Sequence, residues 1–564
     1  GPQRAREKLR EKGVPQELWD EALDELPPDG EQIDRFLQSK LHGRSPEDKE
    51  KKRLTDALLR RGFSWGEVKS AWGRYGSEIW EEWSRRLYPR SRGSVSKTVK
   101  FLVLIAHSLF PPGGAYSIIP EESILSYNVS FISLGCAKNQ VNCEQMMALC
   151  AEAGYSIQAQ PEGCDVVVVN TCGFLASACE EAIENILEMA ELKKAGQVKK
   201  ILVTGCMTQR YKEDIFHELP EVDGLLGTGS YGDIATAIAE VMEKGEKPCH
   251  LGNIHTANQS GERILSTPPW YAYLRIAEGC DNHCAYCVIP SLRGKYRSRP
   301  MNELLNEAAE LASAGVKELI VIAQDITRYG TDLNGEHQLA KLLKELCKLD
   351  FHWIRLHYLY PTDTTDELID VIASEPKIVK YLDIPIQHCN DTILKAMNRR
   401  DTKADLLALL KKLREKVPGL VLRTSLIAGL PYEDDAAFEE LCDFLREVRI
   451  ERAGVFPFSP EDGTKAALME HVDMEEAQRR AELAVDVQSD IIDAYNDSIL
   501  GEEREVLCEG YDSQAQMFYG RSYAESPDID GRIWFTADSE IAPGSFVNVR
   551  LTGTMDGETT GELV

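Results

Sequence analysis

From Val129 onward, short apolar runs alternate with amphipathic helical segments, and this alternation limits the fold more than any other property of the chain. Phe131–Leu134, Asp165–Val169 and Lys200–Val203 each read as a strand running into a turn and then a helix, as over Cys179–Leu192. Such repeats build a parallel α/β unit. Cys136, Cys172 and Cys206 each stand just past one of these runs. Ligands gather beyond the carboxyl ends of parallel strands, so three cysteines more than thirty residues apart are expected to converge. Cys150, Cys164, Cys179, Cys249, Cys347, Cys442 and Cys508 lack such turns and read as structural thiols, while Cys143 reads either as a cluster neighbour or as a passive one.

A second series of strand and helix follows a polar connection over 245–269. Candidate strands are Tyr271–Ile276, Glu318–Ala323, Trp353–His357, Tyr381–Ile384, Val421–Ile427 and Gly454–Phe458, with helices such as Glu303–Ala314 and Lys403–Lys416 between them. This pattern predicts a parallel barrel or partial barrel with its chemistry at the strand ends. Cys280, Cys284 and Cys287 follow the first of these strands at C-x3-C-x2-C spacing. Three thiolates so placed can hold three corners of a four-iron, four-sulfur cube, which would leave the fourth iron open. The competing readings are a zinc knuckle or free thiols; zinc asks for four N or S ligands, commonly in paired C-x2-C units.

The segment Ala277–Cys287 resembles the radical S-adenosylmethionine (SAM) superfamily, and the three cysteine turns before it resemble the N-terminal domain of the methylthiotransferases. The resemblance spans about 128–564. It implies an open (β/α)6 barrel and two 4Fe-4S clusters, one held by Cys136, Cys172 and Cys206 and the other by Cys280, Cys284 and Cys287. One SAM would methylate sulfur at the first cluster; another, at the second, would yield a radical that takes a substrate hydrogen. SAM contacts fall by resemblance on Tyr286, Gln324, Asp325, Arg423 and Ser425. His388 reads as a core histidine or a substrate contact. The run Arg293–Arg299 reads as a solvated turn or a grip for a carboxylate or phosphate.

After a long charged helix from Met474 to about Leu500, residues 501–564 alternate short apolar runs with turns, as in a small five-stranded barrel. Its position resembles a TRAM domain. This segment holds 13 acidic and 4 basic residues, which repels nucleic acid and suits a basic protein. With phrases such as Tyr358–Pro361, Pro385–His388, Gln324–Gly330 and Ser459–Thr464, the resemblance points to the branch that modifies the β-carbon of an aspartate in the twelfth small-subunit ribosomal protein. The alternatives are modification of an adenosine next to the tRNA anticodon, or a RecX-like binding protein carrying a degenerate enzyme. One departure from the family is Tyr432, where a glycine usually follows the proline.

Residues 1–86 form a charged helical repeat in pattern, and Leu58–Val68 resembles the C-terminal repeats of RecX. A DNA or recombinase contact through 1–86 follows from that resemblance alone. Residues 87–127 read as a linker, with 128–245, 266–500 and 501–564 as the enzyme domains. The first methionine, Met146, lies beyond Cys136, so residues 1–127 read as a fusion or a gene-boundary fragment. The net charge of −28 argues against a general nucleic-acid surface. No apolar run approaches the roughly 20 residues of a membrane span, and fifteen cysteines without a signal peptide suggest a reducing cytoplasm. An electron-donating reductase or flavodoxin is the further partner implied.

Overall fold

Val166–Thr171 is buried along its whole length, as expected of a strand covered on both faces of a parallel sheet. The computed structural model describes residues 126–564 apart from 257–259 and 556, together with Ile33, Leu37 and Leu54. Those three positions aside, the readings made on 1–125 lie outside the described residues. The first sheet contains β1 (Asn128–Ser133), β2 (Ser156–Gln158), β3 (Val166–Thr171), β4 (Lys200–Gly205), β5 (Gly224–Gly229) and β6 (Cys249–Gly252). All pairs are parallel and the order is β2-β1-β3-β4-β5-β6. The order reverses between β1 and β3, the switch point where such sheets bind ligands. Helix α1 (Ala137–Glu152) leaves β1, α2 (Ala176–Lys194) leaves β3, and α3 (Cys206–Tyr211) leaves β4. The sheet continues past 245, because β6 pairs with β5 inside the segment expected to be a plain connection.

The second sheet is an open arc of β7 (Tyr271–Arg275), β10 (Glu318–Ile322), β11 (Trp353–Leu356), β12 (Ile378–Asp383), β13 (Val421–Ala428) and β14 (Arg452–Pro457), all parallel. Six β/α units thus form the expected partial barrel. A two-stranded piece, β8 (Ala277–Glu278) with β9 (Arg297–Ser298), brackets the cysteine loop, and α4 (Ile289–Arg293) lies within that bracket. Alternation along each strand sends Leu274, Leu319, Val321, Ile354 and Leu356 into the core beneath the helices, among them α5 (Met301–Ser313) and α6 (Lys403–Lys416). The opposite, concave face carries Tyr271, Tyr273, Ile320 and Ile322, which cluster with Val141 of α1. That contact explains why α1 buries Lys138, Asn139, Asn142, Glu144 and Gln145 as well as its apolar side: it is packed between two sheets.

Helix α7 (Met474–Ser498), capped by Asp473, leads into a closed barrel of β15 (Glu503–Asp512), β16 (Met517–Arg521), β17 (Ile533–Thr536), β18 (Phe546–Met555) and β19 (Glu558–Leu563). The β16–β17 connection enters the concave face of the arc. Arg521 bonds Glu318 at 2.8 Å, Glu525 pairs Arg452 at 2.9 Å, Asp530 accepts from Tyr381 at 2.7 Å, and Ser526 meets His357 at 3.0 Å. No helix among the described residues is long and apolar enough to cross a membrane.

Candidate active site

Sheet register brings the first cysteine triad together. Ser133 pairs with Asn170, and Thr171 with Gly205, so Cys136, Cys172 and Cys206 leave neighbouring strand ends. The turns abut closely. A Cβ on Gly135 would stand 2.7 Å from Cys172 Cβ, and one on Gly173 would stand 2.7 Å from the Cys206 carbonyl carbon. Burial pushes the Cys172 thiol up to about 12 and raises Cys206, against the pull of Arg293 on the latter. Burial also opposes ionisation of Cys136, yet Lys138, Arg293 and two backbone N–H groups hold its thiol below the usual range. Cys143 is buried within α1, and burial raises it to about 12.

The second triad lies on a loop fixed at both flanks. Gly279 takes φ +80°, and a Cβ there would fall 2.2 Å from the Lys295 oxygen, so only glycine admits this approach. Cys280 N–H donates to the Gly294 carbonyl, Ala285 N–H to Met397, and Asn398 Nδ2 to the carbonyls of Asn282 and His283. Burial raises the Cys280 thiol to about 11 and lifts Cys287 further. The Arg399 guanidinium lies 4.0 Å from Cys284 Sγ and over the Tyr360 ring.

The polar residues expected at the strand tips differ in their surroundings. Tyr286 lies in the loop, its phenol raised by burial and by the neighbouring Cys284. Gln324 Nε2 donates to Glu278 Oε1. Asp325 is buried and accepts from Asn282 Nδ2 at 3.0 Å and from Thr327, so it anchors the cysteine loop. Arg423 donates to Asp383 at 2.7 Å. Ser425 is half-buried on β13, and its carbonyl accepts from Gln387 N–H. His388 is a core histidine, held between Glu433 at 3.1 Å and the Asn390 N–H at 3.0 Å.

The basic run is neither a solvated turn nor a free grip. Arg299 is buried on Glu307 at 2.7 Å, and Arg293 reaches across to Cys206, Asn139, Asn142 and Glu278. Glu278 also pairs with Arg275 at 2.9 Å. Burial would raise the Glu278 carboxyl, but Arg293 and Arg275 hold it at about 2. Lys138 Nζ lies 3.3 Å above the Tyr358 ring beyond β11. Sequence reasoning missed Lys138, Glu278 and Arg399; the proximity of Lys138 and Glu278 to the cysteine motifs was the available signal. A second bridge runs from Glu461, in the loop after β14, to Arg210 at 2.7 Å and to the Ala176 N–H at 3.0 Å.

Among the described residues no three His, Cys, Asp or Glu side chains are arranged around a single metal ion. The donor sets suit a larger group. Each triad offers three sulfurs, and the first also gathers the buried cations Lys138 and Arg293, which would offset the negative charge of a cube bound through three thiolates.

Three family models match the chain: Uncharacterized protein family UPF0004 over 128–227, the Radical SAM superfamily over 274–445 and the TRAM domain over 500–564. A protein of Symbiobacterium thermophilum named Ribosomal protein uS12 methylthiotransferase RimO is 46% identical over 439 residues, which cover 77% of this chain and 90% of that protein. The chain belongs to the RimO family. A second RimO, from Caldanaerobacter subterraneus, is 45% identical over 438 residues, covering 77% of this chain and 99% of that protein. Against the family pattern, Tyr432 occupies the expected glycine position and takes φ +69°, the left-handed region that favours glycine. Glu433 pins that turn by accepting from Gly429 N–H at 2.8 Å and from Arg480 at 3.0 Å.

Proposed function

We propose that this protein adds a methylthio group to the β-carbon of an aspartate in the twelfth small-subunit ribosomal protein, working in the cytoplasm. In this reading the 128–245 domain holds one 4Fe-4S cluster at Cys136, Cys172 and Cys206. The 266–500 domain holds a second at Cys280, Cys284 and Cys287, with SAM beside it. When bound, these groups supply the radical and the methylthio unit. The observation that carries the reading is the direct bridge between the triads, from Cys206 through Arg293 and Glu278 to the loop. A substrate radical must meet its sulfur donor at once, so the two centres need fixed proximity.

The protein's own groups orient and shield. Asp325 and Asn398 lock the loop through Asn282, and Arg399 keeps a cation beside Cys284. Lys138 and Arg293 favour the thiolate form of Cys136. Tyr286, Gln324, Arg423 and Ser425 stand for SAM contacts in this reading. The acidic 501–564 barrel would recruit a basic ribosomal protein, and its charge disfavours the tRNA alternative. An external one-electron donor, of reductase or flavodoxin type, would feed the clusters.

The test is anaerobic iron reconstitution, followed by incubation with SAM, a chemical reductant and either the ribosomal protein or tRNA. About eight irons per chain and a methylthio mass gain on the ribosomal protein are expected, with the product lost in Cys206→Ala. About four irons, or an active Cys206→Ala variant, would remove the first cluster from the account. A product on tRNA alone would overturn the substrate.

A further inference from the structure

Arg293 ends α4, six residues beyond Cys287, and its side chain is 2% exposed. Nε and one terminal nitrogen each donate to Cys206 Sγ at 3.3 Å. The guanidinium also donates to Asn142 Oδ1 at 2.8 Å, to Glu278 Oε2 at 2.9 Å and to Asn139 Oδ1. Its partners come from α1, the start of α3 and β8, so one side chain joins the first sheet to the cysteine loop of the second.

Beside the first triad two buried arginines, Arg275 and Arg293, share one carboxylate, Glu278. Lys138, Arg275 and Arg293 are buried around the first triad and its bridge, and Glu278 is the carboxylate facing both arginines. A buried cation needs a counter-charge, and Arg293 turns two N–H donors to the Cys206 sulfur, which would carry negative charge as a metal-bound thiolate. Net charge, burial and hydrogen bonds to sulfur set the reduction potential of an iron–sulfur centre. An added electron is stabilised by a cation whose N–H groups point at a ligand sulfur. We propose that Arg293 is a positioning residue that raises the reduction potential of the cluster at Cys136, Cys172 and Cys206 and fixes its Cys206 corner toward the second triad. This rests on the reading that the first triad carries a cluster.

The test uses the full chain with Cys280, Cys284 and Cys287 all changed to Ala, so that one cluster signal remains. Iron content and an EPR-monitored redox titration are measured in this background, then with Arg293→Gln, Glu278→Gln and Arg299→Gln added singly. Losing the Arg293 cation should lower the midpoint potential. Losing the Glu278 counter-charge should raise it. Arg299, engaged with Glu307, should leave it unchanged. Opposite shifts with iron retained support the role, since a merely structural bridge would alter iron content without that sign pattern. If Arg293→Gln cannot hold iron, the upward shift in Glu278→Gln decides. Retained iron with the background potential in both variants overturns the inference and spares the cluster reading. No iron in the background protein overturns the cluster reading and the inference with it.

Discussion

Replacing Glu461 by Ala should loosen the first sheet from the arc without unfolding either. Its carboxylate accepts from the Ala176 N–H at 3.0 Å, from Ser459 Oγ at 2.7 Å and from Arg210 at 2.7 Å. The Arg210 and Glu461 side chains are 10% and 5% exposed. Breaking a buried pair from one side costs about 3–5 kcal/mol, because the other charge is left behind. Arg210 keeps the carbonyls of Gly173 and Asp462 as acceptors, which places the loss near the low end, about 3 kcal/mol. At ~1.4 kcal/mol per tenfold, local opening at the start of α2 becomes on the order of 100-fold more frequent. Hydrogen–deuterium exchange of peptides spanning Cys172–Glu180 measures this directly. Faster exchange confined to that region is expected, with turnover reduced because Cys172 leads into it. Unchanged exchange there in a folded Glu461→Ala protein would refute the claim that this carboxylate clamps the two parts.

Gly205→Ala should cost the first triad its iron, about half of the total, because the new Cβ would stand 2.3 Å from the Thr171 carbonyl oxygen at φ +102°; iron analysis checks it. Glu318→Gln should destabilise the protein by about 3–5 kcal/mol, since Arg355 at 2.6 Å and Arg521 at 2.8 Å lose a shared buried counter-charge; a denaturant titration reads the shift. His357 is held well below its usual 6.5 by burial and by Arg355 and Arg423, so it stays neutral in the folded state. Its contribution is therefore complete above about pH 6.5 and declines as pH falls toward the folded value, at up to ~1.4 kcal/mol per pH unit. His357→Gln should flatten that part of the stability–pH curve.

The strand–turn–cysteine pattern was readable because parallel strands place their ends together whatever their separation in sequence. The arc was readable for a related reason: Ile354 and Leu356 alternate with Trp353 and Arg355, and each β/α unit repeats the pattern. Strand β5 was not, because Gly224-Leu-Leu-Gly-Thr-Gly229 lacks strand-favouring residues apart from Thr228. The structure explains its glycines, since a Cβ on Gly227 or Gly229 would crowd the Leu251 carbonyl of β6. The bridging role of Arg293 was hidden for another reason. A run with four basic residues in seven reads as surface, and its buried partners, Asn139 and Cys206, lie 154 and 87 residues away. Charge pattern in one segment carries no record of a counter-charge supplied by another sheet.

The β16–β17 connection has a consequence for how such proteins diversify. Because Arg521 at the end of β16 and Glu525, Ser526 and Asp530 just beyond it bond to strand residues of the arc, the small barrel is keyed into the scaffold that would perform the chemistry. Exchanging barrels between relatives would therefore require transplanting the matching lock, Glu318, Arg452, His357 and Tyr381, along with the key. Barrel and arc are constrained to change together.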